Sequence, residues 1–133
     1  MRAETNQIVA MLDNGVLGGK VFAGLAPDDY PAPYVCVMPA RNEDEQGRLT
    51  GSHGTEVITI TVLSVGQSQD QSAWFDEQVD RVLRPNGMGI RPVVSGRNCG
   101  RIYRQVTDIR ASNHALRLWE IATVYQFTST KKS

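Results

Sequence analysis

Residues 55–83 read TEVITITVLSVGQSQDQSAWFDEQVDRVL, and a change of hydrophobic period inside this stretch decides the fold. From Glu56 to Val65 β-branched residues dominate. Ile58, Ile60 and Val62 share one face, while Val57, Leu63 and Val65 share the other. The pattern predicts a strand covered, at least in part, on both sides. Ser68 with Gln71 three residues on forms a capping box that satisfies two orphan amides, and Asp70 lies at the positive end of the helix dipole. Phe75, Val79, Val82 and Leu83 then fall at i, i+4, i+7 and i+8, a core-facing stripe, with Asp76, Glu77 and Asp80 expected on the solvent side. Glu77 with Arg81 and Asp80 with Arg84 are acid-before-base pairs four apart, and Pro85 followed by Asn86-Gly87 stops the helix. This strand and helix form a scaffold with no chemistry of its own.

At 133 residues and 41% hydrophobic, the chain is long enough for one core and too short for two. A single domain over residues 1–133 is expected. No apolar run reaches the length of a membrane span, and Ile8–Leu12 is too short and too amphipathic for a signal sequence, so a soluble intracellular protein is expected. Cys36 and Cys99 stand far apart with no CxxC and no clustered histidines. They read as buried or idle thiols, not as a metal or redox site.

A net charge of zero hides an asymmetry. Residues 1–80 hold twelve acids against four bases, and residues 81–133 hold ten bases against Asp108 and Glu120. Eight of the ten are Arg, whose planar fork suits interfaces and phosphates. Two readings follow. Either the halves interleave in one fold and neutralise one another, or an acidic surface of one copy meets the basic surface of a neighbour.

Outward from the central unit, Ala3–Asn14 reads as a first helix with Ile8, Met11 and Leu12 on one face and Asn14-Gly15 as its stop. Gly18-Gly19 lacks the following Lys-Ser/Thr of a phosphate loop and is a turn. The prolines of PDDYPAP (27–33) impose an extended connection, and Tyr34–Met38 is a strand closed by Pro39. Residues 42–54, NEDEQGRLTGSHG, have almost nothing to bury except Leu49. They read as a mobile arm, with Glu43, Asp44 and Glu45 as a solvated acidic run in preference to metal ligands. Met88–Val94 is expected as a strand near an edge because of Pro92. Ser95–Gly100 is expected as a turn, Ile102–Ile109 as a strand, and Asn113-His114 as the next reversal. Ala115–Phe127 should form the last strand, running beside residues 55–65, with a frayed tail at 128–133.

Neither His53 nor His114 has a Ser, Cys or carboxylate at a spacing that identifies a nucleophile or base. No G-x-S-x-G, HExxH, phosphate loop or dinucleotide fingerprint occurs. No catalytic, cofactor-binding or metal-ligating residue is identified, no cofactor is expected, and an enzyme is disfavoured. Arg-rich nucleic-acid binding would want its cations on one face with aromatic platforms, whereas the strand aromatics here look buried. The candidates for an interface or lumen are Glu43, Asp44, Glu45, Arg48, Trp74, Arg91, Arg97 and Arg101.

In the order of its parts, the whole chain resembles the tail-terminator and tail-completion (minor tail) proteins of long-tailed bacteriophages. The parts are a first helix, the segment VFAGLAPDDYPAPYVCV ending in a strand, a long polar loop, the unit at 55–83, and the closing strand LRLWEIATVYQF. The resemblance implies an α+β fold, a mixed, mostly antiparallel β-sheet with two α-helices packed on one face. It implies a virion structural protein that forms a hexameric ring, ends tail-tube assembly and presents a head-binding surface. The partners implied are other copies of the chain, the tail-tube protein and the head connector protein, with DNA passing through the channel without specific binding and no membrane. The protein would reside in the host cytoplasm during assembly and then in the virion tail. A head-tail joining (neck) protein, a nucleic-acid-binding module and a small enzyme with a spatially assembled site are the alternatives.

Overall fold

The computed structural model describes residues 2–27, 30–39, 43–44, 55–113 and 118–131. In chain order the elements are α1 (Arg2–Asp13), β1 (Val21–Ala23), β2 (Tyr34–Pro39), β3 (Glu43–Asp44), β4 (Thr55–Gly66), α2 (Gln69–Leu83), a 3-10 turn (Pro85–Gly87), β5 (Arg97–Cys99), β6 (Tyr103–Asn113) and β7 (Leu118–Lys131). The fold is α+β.

The β-branched run from Thr55 lies antiparallel to β7 from Thr55↔Thr130 to Gly66↔Trp119, and this pair is the middle of the sheet. Beyond β4, β2 pairs antiparallel (Tyr34↔Val65 to Pro39↔Ile60) and β3 continues the same edge (Glu43↔Val57). β1 then adds in parallel to β2. Beyond β7, β6 covers its first part and β5 its end. Among the described residues the sheet thus has seven strands, with β1–β2 its parallel pair.

Period-2 burial sorts the central strands. Ile58, Ile60 and Val62 of β4 and Tyr125 and Phe127 of β7 are fully buried. On them rest Phe75, Val79 and Leu83 of α2 and Ile8 and Leu12 of α1, in one continuous cluster. Both helices therefore cover one face. Each such side chain contributes roughly 1.5–3 kcal/mol on burial. On the opposite face Cys36 and Val65 are also buried, and Val57 and Leu63 are half-buried, so β4 is partly covered on both sides as its sequence predicts.

The junction between β4 and α2 is tight. A Cβ on Gly66 would lie 2.8 Å from the Ser72 amide nitrogen. The Ser68 hydroxyl accepts from the Gln71 amide at 3.1 Å, while the Gln71 side chain accepts from the Gln67 amide at 2.7 Å, one residue earlier than a strict capping box. Ser72 donates to the Trp119 carbonyl at 2.8 Å, fastening the first turn of α2 to β7. Arg84, at φ −137° and ψ 65°, caps the end of α2, and Asn86, at φ 58°, lies in the 3-10 turn that follows.

Five expectations change. Met88–Val94 is not a strand. It is extended, with Pro92 and Val94 buried and Arg91 and Val93 exposed, but Pro92 lacks an amide to donate to a ladder, and the segment is held by Ile102 N–H to the Ile90 carbonyl at 2.9 Å. Ser95–Gly100 contains β5, whose three residues pair with Arg97↔Lys131 to Cys99↔Ser129. Thr128–Lys131, expected as a frayed tail, continues β7 between β4 and β5, because Ser129 faces inward and is fully buried. Asp76 and Asp80, expected in solvent, turn toward the sheet, as described below. Of the arm at 42–54, Glu43–Asp44 form β3, and the rest lies outside the described residues.

Candidate assembly surface

The arginines of the basic half divide into two kinds. Arg97 opens β5 next to the last strand and is surrounded by acceptors. Its Nε donates to Ser129 Oγ at 2.8 Å, and its Nη2 to Glu56 Oε1 at 3.0 Å and to the Ser129 carbonyl at 2.9 Å. Its Nε also lies 3.5 Å from Glu4 Oε2. Ser129 Oγ in turn donates to Glu4 Oε2 at 2.7 Å. Glu4 is 2% exposed although it stands in the first turn of α1. Burial by itself pushes its carboxyl up, but hydrogen bonds to the carboxylate, Ser129's among them, outweigh this and hold it below the usual range. One cation thus joins α1, β4, β5 and β7.

A second polar group lies under α2. Tyr125 Oη donates to Asp80 Oδ1 at 3.1 Å, Arg84 Nη1 donates to the same oxygen at 3.2 Å, and Arg104 Nη1 lies 3.7 Å from Asp80 Oδ2. One turn earlier Thr123 Oγ1 donates to Asp76 Oδ1 at 2.6 Å. Because that proton is committed, Thr107 is the donor in its 3.4 Å contact with Thr123. Burial raises the Asp76 carboxyl against the opposing effect of the Thr123 hydrogen bond, and burial with the neighbouring carboxylates raises the Tyr125 phenol. These contacts bind helix to sheet.

Arg91 and Arg101 are of the other kind. Each is exposed, and each shows one hydrogen bond to a backbone carbonyl, Arg91 Nη1 to Cys99 at 3.4 Å and Arg101 Nη1 to Gly89 at 2.9 Å. The bonds orient the guanidinium groups and leave further N–H donors available. The backbone between them is closely packed, since a Cβ on Gly89 would collide with the Ile102 carbonyl. Val93 at 81% and Tyr103 at 52% exposure stand in the same outward rows.

Of the sequence candidates, Arg91 and Arg101 come together on this ribbon. Trp74 lies elsewhere, on the outer side of α2, 45% exposed and edge-on to Phe75 with ring centroids 5.3 Å apart. Arg97 is occupied within the fold. Glu43 and Asp44 lie on the edge strand β3, and Glu45 and Arg48, like His53 and His114, fall outside the described residues. Sequence reasoning passed over Val93 and Tyr103, although their alternation with Pro92, Val94 and Ile102 is an outward row of period two.

Cys36 and Cys99 are both buried, and burial raises both thiols. Among the described residues no three His, Cys, Asp or Glu side chains gather as a metal site, and no helix is long and apolar enough to cross a membrane. An open depression at the end of α2 is lined by Glu77, Asp80, Arg81, Arg84 and the 85–87 turn. Its charges already pair along the helix, Arg81 with Glu77 at 3.5 Å and Arg84 with Asp80 at 3.2 Å.

No protein-family model matches the chain, and no curated protein matches its sequence. Among solved structures the chain is similar to a chain of the virion of a native gene transfer agent (GTA) particle. The TM-score is 0.71 at 15% identity, over 97% of this chain and 96% of that chain. At that identity the likeness is one of fold.

Proposed function

We propose that this protein is a structural subunit of a phage-like particle, and within it a tail terminator that closes the tail tube as a ring and presents the surface for the head connector. The observation that carries the reading is the fold shared end to end with a chain of a GTA virion. The order of elements that resembles tail-terminator and tail-completion proteins supports it independently.

A ring of identical subunits needs a heterologous interface, one patch meeting a different patch on the next copy. Arg91 and Arg101 are suited to such a contact because neither has a carboxylate partner in the described fold, whereas Arg81, Arg84, Arg97 and Arg104 do. The ring surrounds a channel through which DNA passes without specific contacts. The subunit assembles in the host cytoplasm and ends in the virion tail.

The test is tail length. A particle-producing strain lacking this chain should make overlong tail tubes without heads, and the purified protein should halt polymerisation of the tail-tube protein from the same genome. Tubes of normal length that merely fail to join heads would instead identify a neck protein. Normal particles would refute both.

A further inference from the structure

We infer that, in the ring proposed above and resting on that reading, the contact between copies is head to tail, with the outer stripe of α2 on one copy seated on the extended ribbon 88–103 of the next. On α2, Asp70, Trp74 and Glu77 fall at i, i+4 and i+7 and share one face. That face lies opposite the buried stripe of Ser72, Phe75, Val79 and Leu83. It therefore presents a half-exposed indole between two exposed carboxylates. Glu77 also meets Arg81 at 3.5 Å, but both side chains are more than 60% exposed, so this pair is weak and exchangeable.

The ribbon is the complement. Arg91 and Val93 alternate with buried Pro92 and Val94, and Arg101 and Tyr103 flank buried Ile102. The Ile102 N–H to Ile90 carbonyl bond sets the two rows side by side. Two cations, each aimed by a backbone carbonyl, thus stand with an exposed valine and a tyrosine ring. A guanidinium over the Trp74 indole, with the carboxylates paired to the remaining N–H groups, satisfies both patches. A second copy of this chain is the occupant because the charges and the aromatic anchor that match the ribbon are on the chain itself. The two patches lie on different elements, so the contact is heterologous, the kind that makes a ring when the rotation between copies closes.

The experiment is sedimentation of the full chain and its variants up to millimolar concentration at roughly 50 mM salt, where the Debye length exceeds about 10 Å. Wild type should self-associate, less strongly at 500 mM. Trp74→Ala should weaken association by roughly thirtyfold or more. An α2-face variant, Trp74→Ala with Asp70→Asn and Glu77→Gln, and a basic-face variant, Arg91→Glu with Arg101→Glu, should each stay monomeric. Mixed, they should form dimers and nothing larger, since each keeps one intact patch. Val93→Glu provides a second basic-face variant that retains both arginine-to-carbonyl bonds, and an unchanged melting temperature shows that it folds.

Either face variant associating like wild type, or a mixture that stays monomeric, would overturn the assignment of these surfaces while leaving a ring seen by microscopy intact. A wild type that never self-associates overturns the contact itself. The proposed place in the tail is judged separately by tail length.

Discussion

Arg97 and the pair Arg91 and Arg101 come from the same basic half and lie within ten residues of one another, yet the fold treats them oppositely. Arg97 has its guanidinium among Glu4, Glu56 and Ser129 with little exposure, where breaking the group leaves a carboxylate buried. Arg91 and Arg101 each face solvent and are pinned by a carbonyl. The two readings of the charge asymmetry are therefore compatible. Some cations neutralise acids of the first half inside the fold, and others stay outside it.

The comparison breaks most directly at Arg97. Arg97→Ala should cost about 3 kcal/mol in denaturant unfolding, because Glu56, the Ser129 hydroxyl and the Ser129 carbonyl lose their shared donor and Glu4 loses a neighbouring cation. A loss below about 1 kcal/mol would mean that the group is a surface pair in disguise. Next, Gly89→Ala should cost about 2 kcal/mol, since the Ile102 backbone has to move. That loss would show that the ribbon carrying the open arginines is rigid although its surface is exposed.

A smaller effect is read in acid. The folded Glu4 carboxyl lies below its ordinary value of 4.5, so its contribution is complete above that pH and disappears as pH falls through the folded value. Asp76, raised above its ordinary 3.8, has the opposite sign. Its burial favours the fold when it is protonated, and that advantage is lost as pH rises through the folded value. Glu4→Gln should flatten the acid loss of stability, and Asp76→Asn should steepen it. Smallest of all, Arg91→Ala and Arg101→Ala should shift stability by only about 0.5 kcal/mol each. A loss as large as that of Arg97→Ala would erase the distinction between closed and open cations.

Much of the fold was legible where the signal is local. The switch from period two to period 3.6 across residues 55–83, the Ser68 cap and the stop at Pro85 each rest on neighbours within a turn or two. The inward turn of Asp76 and Asp80 was not legible, because a hydrophobic stripe marks acids as solvent-facing and their partners Thr123 and Tyr125 are 47 and 45 residues away. Glu4 and Ser129 are 125 residues apart, beyond any spacing rule. β5 escaped notice because Arg-Asn-Cys has no strand pattern of its own and exists by pairing with β7. Of the candidate surface, Trp74 and the two open arginines were named from residue type. Which arginine the fold would occupy depended on who stood opposite it.

The late position of β7 has a consequence for synthesis. This strand is the partner of β4, β5 and β6, yet it follows all of them in the chain. At roughly 5–20 residues per second on the ribosome, the hydrogen-bonding edge of β4 waits several seconds for its mate, with Ile58, Ile60 and Val62 not yet shielded by Tyr125 and Phe127. A nascent chain in that interval is open to capture by other strands, so a holding chaperone should raise the yield of folded protein.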